Sequence, residues 1–139
     1  MLQRLGLPFE VIASQVDETA LPGEPPGELV TRLARMKSEA VSTQYPDATV
    51  IGSDQVAECE GRIVGKPGDR ERAFEQLKSF AGRTVRFLSA VHIRCETRPF
   101  EYSATIATHA LFRVLGDDEI ERYLAMDKPF DCAGSFKSE

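Results

Sequence analysis

Six side chains in this sequence have the chemistry and the positions to handle phosphate: the acids Asp17, Glu18 and Asp54, and the lysines Lys37, Lys66 and Lys137. Hard carboxylate oxygens hold Mg²⁺ or Mn²⁺, which bridges phosphate oxygens, and lysines neutralise the charge that builds on a departing phosphate. A carboxylate near such a metal can also orient or deprotonate an attacking water. Each residue has an ordinary structural use as well. Asp54 could cap a turn, although the following "QVAEC" is strand-like. Lys37 could lay its stem along the core and send its ammonium to water. Lys66 lies in "GKP", an ordinary turn sequence, and loop acids such as Asp17 and Glu18 are commonly just solvated. The small-residue run "CAGSF" allows either close backbone packing or the approach of a ligand. The residues alone support a metal-assisted phosphate or nucleotide enzyme and go no further.

Several classes are set aside by what is absent. There is no GxxxxGK[ST] phosphate loop, no GxGxxG, no GxSxG and no HExxH in the chain. His92 and His109 fall inside alternating segments and read as sheet residues, not as ligands or bases. A formal net charge of -5 gives no general attraction to a nucleic-acid polymer or an anionic membrane, so any phosphate binding must be local. Cys59, Cys95 and Cys132 form no CxxC pattern, which fits a reducing, cytoplasmic compartment better than a disulfide framework. No apolar run approaches the ~20 residues that span a bilayer.

The elements that must position these side chains follow from periodicity. "MLQRLGLPFE" reads as the end of a helix, capped by Gly6 and stopped by Pro8, and "FEVIAS" as a short strand. Asp17 and Glu18 then lie on a loop that runs into "LPGEPPGE". Apolar residues at helical spacing predict an amphipathic helix over 28–45 with Lys37 on its apolar stripe, four residues from both Leu33 and Val41. Residues 48–52 read as a buried strand with Asp54 at its exit. "VAECEGRIV" reads as two short strands about a Glu60-Gly61 turn, a register that sets Gln55 opposite Lys66 with Asp54 beside both. Asp69 caps a helix carrying Ala73, Phe74, Leu77 and Phe80, which Gly82 ends. Thr84 to Cys95 and Tyr102 to Val114 form an antiparallel pair, and a helix runs from Asp117 to about Ala125. The order points to a single α/β domain with a mixed sheet, and both ends read as truncated.

The ordered set "QVDE", "RLARMKSEA", "YPDATVIGSDQ", "GKP" and "CAGSFKSE" resembles the Maf-type nucleoside triphosphate pyrophosphatases, and among them the 7-methyl-GTP branch. The likeness runs over the whole chain. It implies an elongated mixed β-sheet flanked by helices, as in inosine triphosphate pyrophosphatases, with a cleft between two lobes and commonly a homodimer. The implied reaction is hydrolysis of a nucleoside triphosphate to the monophosphate and pyrophosphate, with a divalent cation, Mg²⁺ or Mn²⁺, as cofactor. On that resemblance Asp54 is the proton acceptor and a metal contact, Glu18 helps hold the metal, and Lys37, Lys66 and Lys137 bind the triphosphate. Gln55 and Glu139 would read the base. "SDQ" and "KSE" match the methylated-guanine branch, whereas the dTTP and UTP branch has threonine and glutamine there. N7-methylation makes guanine cationic, which a carboxylate favours over an amide. Other readings are a dTTP, UTP or non-standard nucleotide pyrophosphatase, and a nucleotide-binding regulator of cell division without catalysis. The family's N-terminal strand and SxxR loop, and its C-terminal continuation, are not in these 139 residues.

Overall fold

The structure, a computed structural model, describes residues 2–137. Three helices and four strands alternate along the chain: α1 (Pro26–Ser42), β1 (Val50–Cys59), β2 (Arg62–Val64), α2 (Arg70–Ser79), β3 (Thr84–Cys95), β4 (Phe100–Leu111) and α3 (Asp117–Asp127). The strands form one sheet in the order β2-β1-β3-β4. The α/β class is as the sequence implied. Every pair within the described residues is antiparallel, so the sheet they form is antiparallel and not the mixed one expected.

Local chemistry explains most boundaries. Pro26 stands at the first turn of α1, where its missing N–H costs nothing. Asp69 accepts a hydrogen bond from the backbone N–H of Arg72 and starts α2. Gly116 donates its N–H to Glu119 Oε2 at 3.0 Å and starts α3. Glu60 and Gly61 both adopt positive φ (52° and 79°), the backbone of a tight two-residue hairpin whose twist suits the flanking strands. The β1–β2 register that this turn sets, Cys59 opposite Arg62 and Ala57 opposite Val64, is the one read from the sequence. The ladder stops there, short of Gln55 and Lys66.

Side chains alternate across a strand, so β1 and β3 each feed two cores on opposite faces of the sheet. On one face, Val56, Leu88 and Ala90 pack under Val30 and Ala34 of α1. On the other, Ala57, Cys59, Val85 and Phe87 pack with Ala73, Leu77 and Phe80 of the α2 region and Ile120 and Leu124 of α3. Burying each of the larger side chains contributes roughly 1.5–3 kcal/mol relative to exposure.

Two expectations change. β1 does not end before Asp54. Its ladder with β3 runs unbroken from Val50↔Arg94 to Cys59↔Val85, so Asp54 is paired with Ala90 at mid-strand. The segment "FEVIAS" is extended but is not a strand. An alternating pattern becomes a strand only with a ladder partner, and the described residues provide none; Phe9 and Val11 are exposed. The N-terminal helix end survives as a 3₁₀ turn, Leu2–Leu5, closed by a bond from the N–H of Gly6 to Gln3 O.

Candidate functional site

The site begins with a glycine. Gly52 lies on the α1 face of β1, and a Cβ placed there would stand 2.6 Å from Ser38 N and closer still to the Ala34 carbonyl. With no side chain in the way, α1 settles directly on the strand backbone. Two residues further along the same face comes Asp54, and one residue before Ser38 on the helix comes Lys37. The close approach therefore brings Lys37 Nζ to 2.7 Å from Asp54 Oδ1.

Glu18 reaches the same ammonium from the loop before α1, with Oε1 2.7 Å from Lys37 Nζ. A chain of hydrogen bonds fastens that loop. Asp17 Oδ1 accepts from Thr19 N at 2.9 Å and from Thr19 Oγ1 at 2.6 Å, folding the loop on itself. Arg32 of α1 then donates to Thr19 O at 3.1 Å and to both carboxylate oxygens of Glu24 at 2.6 and 2.7 Å. A bidentate arginine clamp thus holds the loop to the helix, with Glu18 set over Lys37. The sequence reading missed Arg32, because the pairing crosses a loop-helix boundary and follows no helical spacing.

The electrostatics match the geometry. Burial works against the charge on Lys37, and the hydrogen bonds to Asp54 and Glu18 outweigh it, so its pKa is raised. The hydrogen bond from Lys37 holds the Glu18 carboxyl below its usual range, and Lys66 adds to that at longer reach. Lys66 is therefore in the field of Glu18, although it is exposed and outside the β1–β2 ladder.

Two proposed residues stay outside this cluster. Gln55 follows Asp54 in a strand and so points to the opposite face, where its Nε2 donates to Ser89 Oγ at 2.7 Å. Lys137 donates from Nζ to Asp127 O at 2.7 Å, at the C-terminal end of α3, and its backbone N–H bonds to Tyr123 Oη at 3.0 Å. Glu139 lies outside the described residues. "CAGSF" takes its packing role: Gly134, at φ 65°, packs closely on Ala57 and Phe87, which a Cβ would meet at 3.0 and 3.3 Å, and Ser135 Oγ donates to Gln76 Oε1 at 2.6 Å. His109 is an exposed strand residue, in keeping with the sequence reading.

A cleft of about 750 Å³ opens beside Lys37, bounded by Gly52 and Ser53 of β1 and by Phe9 and Ile12 of the extended segment. That is within the usual range for a small-molecule site. A second cavity of about 350 Å³, lined mainly by apolar side chains such as Phe112, Leu115 and Phe136 with Arg113 and Glu119 beside them, includes none of Glu18, Lys37 and Asp54. Among the described residues, no group of three or more His, Cys, Asp or Glu side chains could hold a metal by itself. Asp54 and Glu18 are two hard donors already gathered about one cation, the Lys37 ammonium. This suits an ion such as Mg²⁺ that takes one or two carboxylates and completes its shell with water and phosphate.

The family model described as "Maf-like protein" matches residues 1–139. The chain is 53% identical over 139 residues to a Polaromonas protein named 7-methyl-GTP pyrophosphatase, covering all of this chain and 64% of that relative. Proteins of the same name from Albidiferax ferrireducens and Idiomarina loihiensis are 48% and 47% identical, with all of this chain and 70% and 71% of those relatives covered. The chain thus spans about two thirds of the length of these relatives.

Proposed function

The chain belongs to the Maf-like protein family, and from that premise we propose that the protein of which it is the whole or a part hydrolyses 7-methyl-GTP to 7-methyl-GMP and pyrophosphate, removing a modified nucleotide before it enters nucleic acid. The observation that supports the reading is the contact of Lys37 with both Asp54 and Glu18, Lys37 itself lining a cleft of about 750 Å³.

In this reading Asp54 accepts a proton from the attacking water. Its Oδ1 is held by Lys37, and among the described residues Oδ2 takes no hydrogen bond, which leaves an oxygen to receive that proton. Water attacks the α-phosphorus, the bond to the bridging oxygen of the β-phosphate breaks, and the electron pair leaves on pyrophosphate. Lys37 and Lys66 offset the charge that develops there, with Lys137 joining them if its side chain leaves Asp127 O. A divalent cation, Mg²⁺ or Mn²⁺, held by Asp54 and Glu18, would supply Lewis-acid polarisation of the phosphate oxygens. Gln55, and Glu139 beyond the described residues, would read the base.

A cytoplasmic setting is supported by three free cysteines, and no helix among the described residues is long and apolar enough to cross a membrane. A homodimer belongs to the same proposal, supported by the outer edge of β4, which has no strand partner among the described residues, and by Phe100, Tyr102 and Ile106, exposed on one face of that strand.

The test is to incubate the full-length protein with 7-methyl-GTP, GTP, dTTP and UTP in Mg²⁺ or Mn²⁺ and to measure pyrophosphate. Release is expected to be fastest from 7-methyl-GTP and to drop about 10²–10⁴-fold in Asp54→Asn. Equal turnover of GTP and its methylated form would remove the base preference, and unchanged release in Asp54→Asn would remove Asp54 as the base.

A further inference from the structure

His92 is the one histidine of the core, 2% exposed, and it uses both ring nitrogens. Nδ1 is 2.7 Å from Ser38 Oγ on α1, and Nε2 is 2.8 Å from Glu101 Oε1 on β4. The Ser38 hydroxyl also reaches Arg35 O at 2.8 Å, one turn back in the same helix. A single imidazole therefore links the helix to two strands.

Its place in the sheet gives that link a consequence. His92 is the register partner of Gly52, so the imidazole stands beside the point where α1 touches β1. Gly52 is two residues from Asp54 on one face of the strand, and Ser38 follows Lys37 on the helix. At Gly52 the helix meets flat backbone with no side-chain ridge to key its rotation there; its other directional ties to the sheet lie toward its two ends, Thr31 Oγ1 to Thr105 Oγ1 at 2.9 Å and Ser42 Oγ to Glu96 Oε1 at 3.1 Å. A small rotation of α1 would carry Lys37 Nζ away from Asp54 Oδ1. A directional hydrogen bond at 2.7 Å resists that rotation.

We propose that His92 is a positioning residue for the candidate site: through its Nδ1 bond to Ser38 it sets the rotation of α1 and so holds Lys37 on Asp54 and Glu18. The bond to Glu101, whose side chain is 59% exposed, orients the ring and is secondary. The catalytic consequence rests on the pyrophosphatase reading; the placement of Lys37 does not.

Asparagine and glutamine separate the two bonds, because an Asn amide reaches the position of Nδ1 and a Gln amide that of Nε2. The chain is prepared as His92→Asn, His92→Gln, Glu101→Gln and Ser38→Ala. The rate at which Lys37 is acetylated by acetic anhydride is followed by mass spectrometry, alongside the thermal midpoint and the kcat and KM of pyrophosphate release. In His92→Gln and Ser38→Ala, Lys37 acetylation is expected to rise roughly tenfold as the pinned ammonium is freed. In the same two variants kcat is expected to fall about 10–100-fold with KM little changed, the effect of a misplaced group. His92→Asn should recover most of both, and Glu101→Gln should resemble the parent. Equal behaviour of the Asn and Gln variants, or unchanged Lys37 acetylation in a folded Ser38→Ala chain, would overturn the proposal. If the parent releases no pyrophosphate, the functional reading fails, and acetylation of Lys37 still decides the role of His92.

Discussion

Asp54 and Gln55 are adjacent in sequence and face opposite sides of the sheet: Asp54 meets Lys37 under α1, and Gln55 meets Ser89 on the other face. A ligand that touches both must therefore lie across the outer edge of β1. That edge carries no strand partner before Ala57 among the described residues. The roles proposed for them, proton acceptor for Asp54 and base reader for Gln55, would thereby be separated in space and should separate in mutants.

Gln55→Ala removes the amide without touching the Asp54 cluster. The transition-state barrier for pyrophosphate release from 7-methyl-GTP is expected to rise by about 1–3 kcal/mol, the usual cost of leaving a polar group without its hydrogen-bond partner. Release from GTP should change much less. Steady-state kinetics with both nucleotides check this, and an equal loss on both would detach Gln55 from base choice.

Lys37→Met keeps the stem and removes the ammonium. The side chain of Lys37 is 20% exposed and those of Asp54 and Glu18 are 11% and 53%, so its loss leaves one nearly buried carboxylate without its partner. A destabilisation of about 1–3 kcal/mol is expected, as for other charged hydrogen bonds. Urea unfolding of the variant beside the parent measures it. Identical midpoints would mean that the lysine contributes no net stability.

Gly52→Ala adds one methyl group where backbone atoms already meet. The Ala34 carbonyl and Ser38 N belong to α1 and cannot swing aside as a side chain would, so the helix must lift. The cost is expected at about 1–3 kcal/mol, together with a loss of activity larger than that of an alanine at the open Gly65. Thermal melts and activity assays of the two variants decide it.

The arginine clamp gives a pH dependence of known sign. Hydrogen bonds from Arg32 first, and the N–H of Leu21 after it, hold the Glu24 carboxyl at about 2 against a desolvation that raises it; its ordinary value is 4.5. A carboxyl depressed on folding contributes stability that is fully present above its unfolded pKa and is lost as pH falls through the folded one. The parent should therefore lose stability relative to Glu24→Gln as pH falls from 4.5 toward about 2. Unfolding midpoints across that window test the claim, and parallel curves would contradict it.

The helices, the Asp69 cap, the Glu60-Gly61 turn and the long β3–β4 hairpin were legible in the residues because each depends on short-range periodicity or on one residue's backbone preference. The resemblance added the family and the list of residues to watch. What neither supplied is contact. Lys37 on an apolar stripe could equally have reached solvent, and only the packing of α1 on Gly52 sends it to Asp54. Asp54 looked like the end of a strand until β3 extended the ladder past it. "FEVIAS" had the alternation of a strand without a partner to pair with. Arg32 and His92 gave no local signal, since their partners lie 8 and 54 residues away in Glu24 and Ser38. Sequence by itself determined the helices, their caps and the tight turn, through local backbone and side-chain preferences. The tertiary structure decided which charges meet, because pairing across distant segments exists only once the sheet and its covering helix have closed.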